Sequence, residues 1–340
     1  MKAMGFWNNK GGTGKTSLAF QTVCSFAEQN PESRILVIDV CPQANLSELF
    51  LGGQEHDGGK NLLALHGENN RRSVGGYFQS RLPNPFDKSY IGPYSYISRP
   101  RDYSQSMPEN IRLVAGDPLL ELQANAVSTL ANNRIPGTNT WKSVVSWLRD
   151  FIESCNEDFD YCFLDMNPSF SMYTQIALAC CDRLTLPVTA DDSSRRGIQN
   201  AMSLIYGLKL PSEVYAQHNF SSQMKEAELT LPKIHLVVKN RLTQYIKTAK
   251  SYAAVLSGIS SDVESILKDN PEHFTFKTVH EGTFEAKDFV TAGVVAFARG
   301  EPFVKMQSGT LSVAGQRVKV NKRQLQTNQK VVNDLANSFW

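Results

Sequence analysis

Residues 8–17 read NNKGGTGKTS, and their types and spacing suit one task, the cradling of a phosphate chain. The phosphate-loop pattern G-x-x-x-x-G-K-[ST] is met at Gly14, Lys15 and Thr16, but its first glycine should fall at position 9, where Asn9 stands. An additional lysine, Lys10, precedes Gly11 and Gly12. Glycines let backbone N–H groups converge on phosphate oxygens, and the helix that Lys15 opens adds its partial positive charge. Lys15 is then placed to reach β- and γ-phosphates, and the Thr16 hydroxyl to join a Mg²⁺ shell. Two carboxylates stand where such an ion needs them. Asp39 ends RILVID (34–39) and Asp165 ends YCFLD (161–165), at the strand tips where open α/β sheets bind ligands.

Elements that could hold these residues alternate along the chain. KAMGFW (2–7) reads as a strand and 15–29 as a helix; further strands are RILVID, IRLVAG (111–116), YCFLD, RLTLPV (183–188) and IHLVV (234–238). Helical stretches cover 118–132 and 140–154, and Tyr252, Val255, Leu256, Ile259, Val263, Ile266 and Leu267 keep helical spacing between 248 and 268. Continuous apolar runs imply strands covered on both faces, so the expected fold is α/β, a mostly parallel twisted sheet with helices on both faces. Residues 52–110 lack sustained periodicity and are rich in Gly, Pro and Tyr, which predicts an irregular insertion. The reading is one domain over 1–304 carrying that insertion, followed by a basic tail or terminal helix over 305–340.

Composition bounds the function classes. The chain has 340 residues, 41% of them hydrophobic, and a net charge of +2, so any strongly basic surface must be local. Six cysteines (24, 41, 155, 162, 180 and 181) show no zinc-like spacing and read as free thiols in a reducing compartment. No stretch approaches the roughly 20 apolar residues of a membrane span. The phosphate loop follows the first residues so closely that no removable leader is expected. A cytoplasmic protein is the expectation.

KGGTGKTS closely resembles the deviant Walker A box of the ParA/MinD family of ATPases, K-G-G-x-G-K-[ST]. VIDVCPQANLS (37–47) is similar to that family's D-x-D-P-Q-x-N segment, and FDYCFLDMNPS (159–169) to its D-Y-x-x-x-D-x-P-P-S. Weaker echoes are RLVAGDPLLEL (112–122), VVKNR (237–241) and FVTAGVVAFARGEPF (289–303). The resemblance implies that Lys10, Gly11, Gly12, Thr13, Gly14, Lys15, Thr16 and Ser17 bind ATP, with Asn240 near the adenine. It gives Mg²⁺ to Thr16, Asp39 and Asp165, and catalytic roles to Lys10, Lys15 and Asp39. It also implies a homodimer in the ATP state, each Lys10 reaching the partner's triphosphate, much as an arginine finger does. Where the family has a second aspartate, which positions the attacking water, this chain has Cys41. A thiol accepts hydrogen bonds poorly and lacks the charge to orient water, so hydrolysis is expected to be slow unless Asp191, Asp192 or a partner compensates. Asn167 replaces a proline common in the family.

ParA-type relatives bind DNA without sequence preference as ATP dimers, and a stimulating ParB-like partner is implied. Three basic clusters are candidates for that contact. Residues 71–103 hold Arg71, Arg72, Arg81, Lys88, Arg99 and Arg101 against Asp87 and Asp102; Arg195 and Arg196 follow PVTADDSS; and from 301 on, Lys305, Arg317, Lys319, Lys322, Arg323 and Lys330 face Glu301 and Asp334. Aromatics interleaved with the first cluster, such as Tyr77, Phe78 and Tyr96, read as a small satellite core. VVNDLANSFW (331–340) groups Val332, Leu335 and Phe339 without a lysine on its polar side, and is expected to pack on the domain rather than on a membrane. The leading expectation is therefore a ParA-like switch that partitions DNA or another large cargo over the nucleoid. An ATP-gated scaffold with little turnover is the second, and an amidoligase or cluster-assembly relative the third.

Overall fold

A computed structural model describes residues 1–88, 92–242 and 249–340; the side chains of Asp192, Gln217 and 249–253, Tyr252 among them, lie outside the described set. Six of the apolar runs form strands: β1 (Lys2–Phe6), β2 (Ile35–Val40), β4 (Ile111–Val114), β5 (Tyr161–Met166), β6 (Arg183–Thr189) and β7 (Lys233–Leu242). With β3 (Ile97–Ser98) and β8 (Thr283–Lys287) they make one sheet in the order β3-β4-β2-β5-β1-β6-β7-β8, parallel throughout except for β3.

Helices cover both faces, which is why the inner strands read as unbroken apolar runs. One face buries Leu18, Val23 and Phe26 of the helix Lys15–Gln29, together with Ala292 and Val295 of Val290–Arg299 and Val332 and Leu335 of Lys322–Ala336. The other buries Leu120 and Val127 of Leu119–Asn132, Ile198 and Ile205 of Asp192–Tyr206, and Ile259 and Val263 of Ala249–Asp269. Successive strand residues alternate between the two cores, so Ile35 and Val37 face the first and Leu36 and Ile38 the second. By the same period, Asp39 lies on the face that carries the helix Lys15–Gln29, and so does Asp165 two residues after Phe163. The register sets Asp39 directly opposite Asp165, and Asp165 opposite Phe6 at the end of β1. Strand pairing alone thus gathers both carboxylates beside the loop that leaves β1.

Three regions depart from the sequence expectation. Residues 52–110 contain the helices Gly58–Gly67 and Val74–Arg81, and Tyr77, Phe78 and Tyr96 join the main core rather than a satellite. Their glycines permit close approach: a Cβ on Gly76 would strike the Arg71 carbonyl, and one on Gly75 the Asp117 carboxylate. The stretch 140–154 forms two helices, Thr140–Val145 and Trp147–Ser154. Beyond 305 the chain makes an antiparallel hairpin, β9 (Gly309–Val313) and β10 (Gln316–Val320), before its last helix. Phe339 then inserts fully buried, with Phe6, Phe26 and Phe163 rings 5.4 to 5.9 Å away, as the apolar grouping of Val332, Leu335 and Phe339 predicts.

Candidate functional site

The turn between β1 and the helix Lys15–Gln29 depends on two glycines in the left-handed region, Gly12 at φ 75° and Gly14 at φ 81°. Gly11 and Gly12 are exposed, and a Cβ on either would meet nothing within 4 Å, so the loop is open above them. Lys15 is buried, and its ammonium donates to the carbonyls of Asn8 (3.3 Å) and Lys10 (3.2 Å). Burial lowers its pKa, while the nearby Asp165 pushes the other way. Asn8 steadies the turn by donating to Pro187 O (2.8 Å) and accepting from the Lys10 N–H (3.0 Å). Thr16 and Ser17 lie in the first helical turn, and Thr13 is wholly buried.

Lys10 leaves this loop sideways. Its ammonium sits 2.6 and 2.7 Å from the two carboxylate oxygens of Asp191 and 3.1 and 3.3 Å from the hydroxyls of Thr189 and Ser194, at the end of the neighbouring β6. Asp191 is also the N-cap of the helix Asp192–Tyr206, accepting from the Ser194 N–H. Partial burial raises the Asp191 pKa, but hydrogen bonds from Lys10, Ser193, Thr189 and the Ser194 N–H outweigh it and hold the carboxyl well below its usual range. The two loop lysines therefore point to different places, Lys15 over its own loop and Lys10 to the neighbouring strand end. Thr189 and Ser194 had no individual signal in the sequence beyond their place after a predicted strand.

Asp39 and Asp165 are both buried. The Thr16 hydroxyl donates to Asp165 Oδ2 at 2.7 Å, whereas Asp165 Oδ1 is buried with no partner among the described residues. Asp39 accepts from the Ser47 N–H (2.9 Å), the Ser47 hydroxyl (2.7 Å) and the Cys41 N–H (3.1 Å). Burial raises both carboxyl pKa values, and Asp165 raises that of Asp39 further. Cys41 lies half-buried against this pair; burial first, then the charges of Asp39 and Asp165, push its thiol up to about 12. It is a neutral thiol at neutral pH. Asp192, the other acid beside Asp191, has a side chain outside the described residues.

Asn240, at the end of β7, donates to the Thr13 carbonyl at 2.9 Å while its side-chain oxygen accepts from the Arg241 N–H. It thus ties down the loop, and it also borders a cavity of about 510 Å³ walled by Gly14, Ser17, Asp288, Val290 and Phe297. Val290 and Phe297, which the sequence reading placed within the weaker echo 289–303 without naming them as site residues, are exposed apolar residues of one helix face.

The basic clusters have distinct fates. Arg71 pairs with Asp117 (2.6 Å), Arg72 with Glu68 (2.8 Å), Arg81 with Asp150 (3.2 Å), Lys88 with Glu153 (2.7 Å), and Arg99 and Arg101 with Glu109 (2.6 and 3.8 Å). Arg195 pairs with Asp262 (2.8 Å) and Lys305 with Glu28 (2.6 Å). Arg196 is exposed, as are Arg317, Lys319, Lys322, Arg323 and Lys330 of the hairpin and last helix.

A family model described as an AAA domain, AAA_31, matches residues 1–213. Curated relatives include the "Virulence plasmid ParA family protein pGP5-D" of Chlamydia psittaci, 24% identical over 58% of this chain and 61% of that protein, and its namesake from Chlamydia muridarum, 27% identical over 63% and 65%. The chain thus spans a little over three fifths of the length of these relatives. Among solved structures, apo McdA of Cyanothece superposes with a TM-score of 0.61 at 16% identity, over 98% of both chains. A putative plasmid partition protein of Borrelia burgdorferi gives 0.54 at 15%, over 99% of both.

Proposed function

The chain belongs to the AAA_31 family of AAA domains, and from that premise we propose that it is a ParA-like ATPase switch of the partition type. In this reading it binds ATP with Mg²⁺, closes into a nucleotide-sandwich dimer, and in that state associates with DNA irrespective of sequence to partition DNA or another cargo. The fold neighbours have been solved with such ligands: a variant of Cyanothece McdA with ATP, the Borrelia protein with AMPPNP, and a cobyrinic acid a,c-diamide synthase with ADP and magnesium. The observation that carries the dimer is the direction of Lys10, whose partly exposed ammonium is held 2.6 Å from Asp191 and away from its own loop. A second cation that does not serve its own phosphate site is available to a neighbour's.

The carboxylate pair fits a magnesium ion. Asp165 Oδ1 is buried without a partner among the described residues, and two adjoining buried carboxyl groups disfavour their own ionisation, both of which a cation would relieve. Thr16, Asp165 and Asp39 would hold the ion, Asp39 standing opposite Asp165 on the neighbouring strand and fixed by Ser47. When bound, Mg²⁺ neutralises phosphate charge during phosphoryl transfer. The loop N–H groups of residues 11–16 bind and orient the phosphates, Lys15 exchanges its carbonyl partners for phosphate oxygens, and Lys10 of the opposite protomer adds charge.

Cys41 argues for slow turnover within this reading, because a neutral thiol replaces the acceptor that would order the attacking water. A ParB-like partner that stimulates the cycle, and a nucleoid-associated place in the cytoplasm, belong to the same proposal. Should the dimer form yet barely turn over even with DNA, the scaffold role replaces the motor. No helix among the described residues is long and apolar enough to cross a membrane.

The test is light scattering after size exclusion, apo against ATP–Mg²⁺, on the wild type and Lys10→Ala. The wild type should double in mass with nucleotide and the variant should not. A wild type that stays monomeric at saturating nucleotide removes the proposal.

A further inference from the structure

Most of the basic residues that the sequence offers for nucleic acid are paired with acids within the fold, and the exceptions are concentrated in one place. Arg317 and Lys319 alternate along β10 with Val318 and Val320, so the two cations share the outer face of the hairpin while the valines turn inward. Across the hairpin they stand opposite Ser312 and Thr310, both exposed hydroxyls. Lys322 and Arg323 follow at once, in the first turn of the helix Lys322–Ala336, and are exposed as well. No ion pair joins any of these four to an acid among the described residues. A first turn is where cations are least favoured by the helix dipole and where anions bind, so helix stability gives no reason for this pair of charges.

We infer that the outer face of the β9–β10 hairpin, with the first turn of the following helix, is the surface that contacts duplex phosphates. This inference rests on the proposed ATP-dependent DNA binding and locates it. Cations two residues apart on one strand, flanked by hydroxyl donors, match what positions a protein on a phosphate backbone without reading bases. The inner face of the hairpin packs on the core through Leu311, Val313 and Val318, so its large apolar side chains are turned away from the outer face, where a lipid surface would need them. Val313 is also a wall of the cavity beside Gly14 and Ser17, so one element borders the nucleotide loop on one side and solvent on the other.

The experiment is a salt titration of binding to a fluorescent duplex, with ATP–Mg²⁺ and without nucleotide. It uses the full chain, Arg317→Gln/Lys319→Gln, Lys322→Gln/Arg323→Gln, and the paired control Arg72→Gln. Light scattering with ATP–Mg²⁺ is run on each protein. Both doubly neutralised variants should dimerise as the wild type does yet bind duplex at least tenfold more weakly. Their log K against log salt slopes should flatten by about 0.9 for each phosphate no longer neutralised. Arg72→Gln should keep the wild-type slope. Wild-type slopes in both double variants would overturn the hairpin assignment while leaving the proposed function intact. A wild type that binds no duplex with ATP would overturn the DNA role itself, and the hairpin assignment with it. Loss of binding to anionic phosphatidylserine vesicles in the variants, with duplex binding retained, would mark a lipid surface and also overturn the assignment.

Discussion

Lys10 and Asp191, 181 residues apart in sequence, form a two-oxygen ion pair at 2.6 and 2.7 Å that fastens the phosphate loop to the end of β6. Delivering Lys10 to a second protomer requires breaking this pair in each subunit. Both side chains are partly exposed, 25% and 45%, so each pair is worth at most about 1 kcal/mol. Asp191→Asn removes the charge yet preserves the helix N-cap, for which asparagine serves as well. The ATP-bound dimer of this variant should be tighter, by roughly three- to thirtyfold for two released latches, as sedimentation equilibrium would measure. A weaker dimer would mean that Asp191 holds Lys10 in its productive position.

The buried carboxylates give a pH dependence whose sign is fixed. Their folded pKa values lie above the usual carboxyl value, so the folded state holds extra protons between the two, and stability falls as pH rises through that window. The full penalty is present above the folded values. Asp165→Asn retains an oxygen for the Thr16 hydroxyl and removes the charge. In the apo protein it should therefore stabilise at pH 7.5 by on the order of 1 kcal/mol, about 2 °C in Tm, and by little at pH 5. Differential scanning fluorimetry at both pH values reads the difference; equal shifts would show that the pair carries no titrating penalty. ATP–Mg²⁺ should raise the Tm of the wild type and not that of the variant.

What the sequence made legible here was whatever local pattern controls. The runs around Leu36 and Phe163 announce strands covered on both sides, the glycines at 12 and 14 announce a turn, and Asp39 and Asp165 fall at strand tips because apolar runs end there. Strand order is not local. That β6 lies beside β1, bringing Asp191 to Lys10, and that β7 brings Asn240 to Thr13, follows from sheet topology rather than from spacing. β8, with the sequence TFEAK, escaped because an edge strand exposes half its residues and needs no apolar run. The Gly, Pro and Tyr content of 52–110 suggested an irregular insertion, although the fold uses Gly75 and Gly76 inside a helix that lies close against Asp117 and Arg71.

Cys41 lies half-buried beside Asp39 and Asp165, and the proposed function expects a water-ordering carboxylate at its position. Cys41→Asp should raise ATP turnover at least tenfold, measured as phosphate release with and without DNA, since positioned acceptors of this kind account for orders of magnitude. The same change adds a third acid beside Asp39 and Asp165, so the apo protein should be less stable at neutral pH and recover with ATP–Mg²⁺. Unchanged turnover in a folded, nucleotide-binding variant would locate the slow step elsewhere.

Asn240 distinguishes loop support from base reading. Its amide donates to the Thr13 carbonyl inside the fold, and Gly14 packs so close that a Cβ there would strike that amide. Asn240→Ala would strand a buried carbonyl, at a cost of roughly 1–2 kcal/mol. If the residue acts through the loop, affinity for ATP, ADP and GTP should fall by one common factor of about 5 to 30, because every nucleotide presents phosphates to the same turn. Isothermal titration with the three nucleotides supplies the comparison. A loss confined to the adenine nucleotides would instead make Asn240 a reader of the base, with the Thr13 bond exchanged on binding.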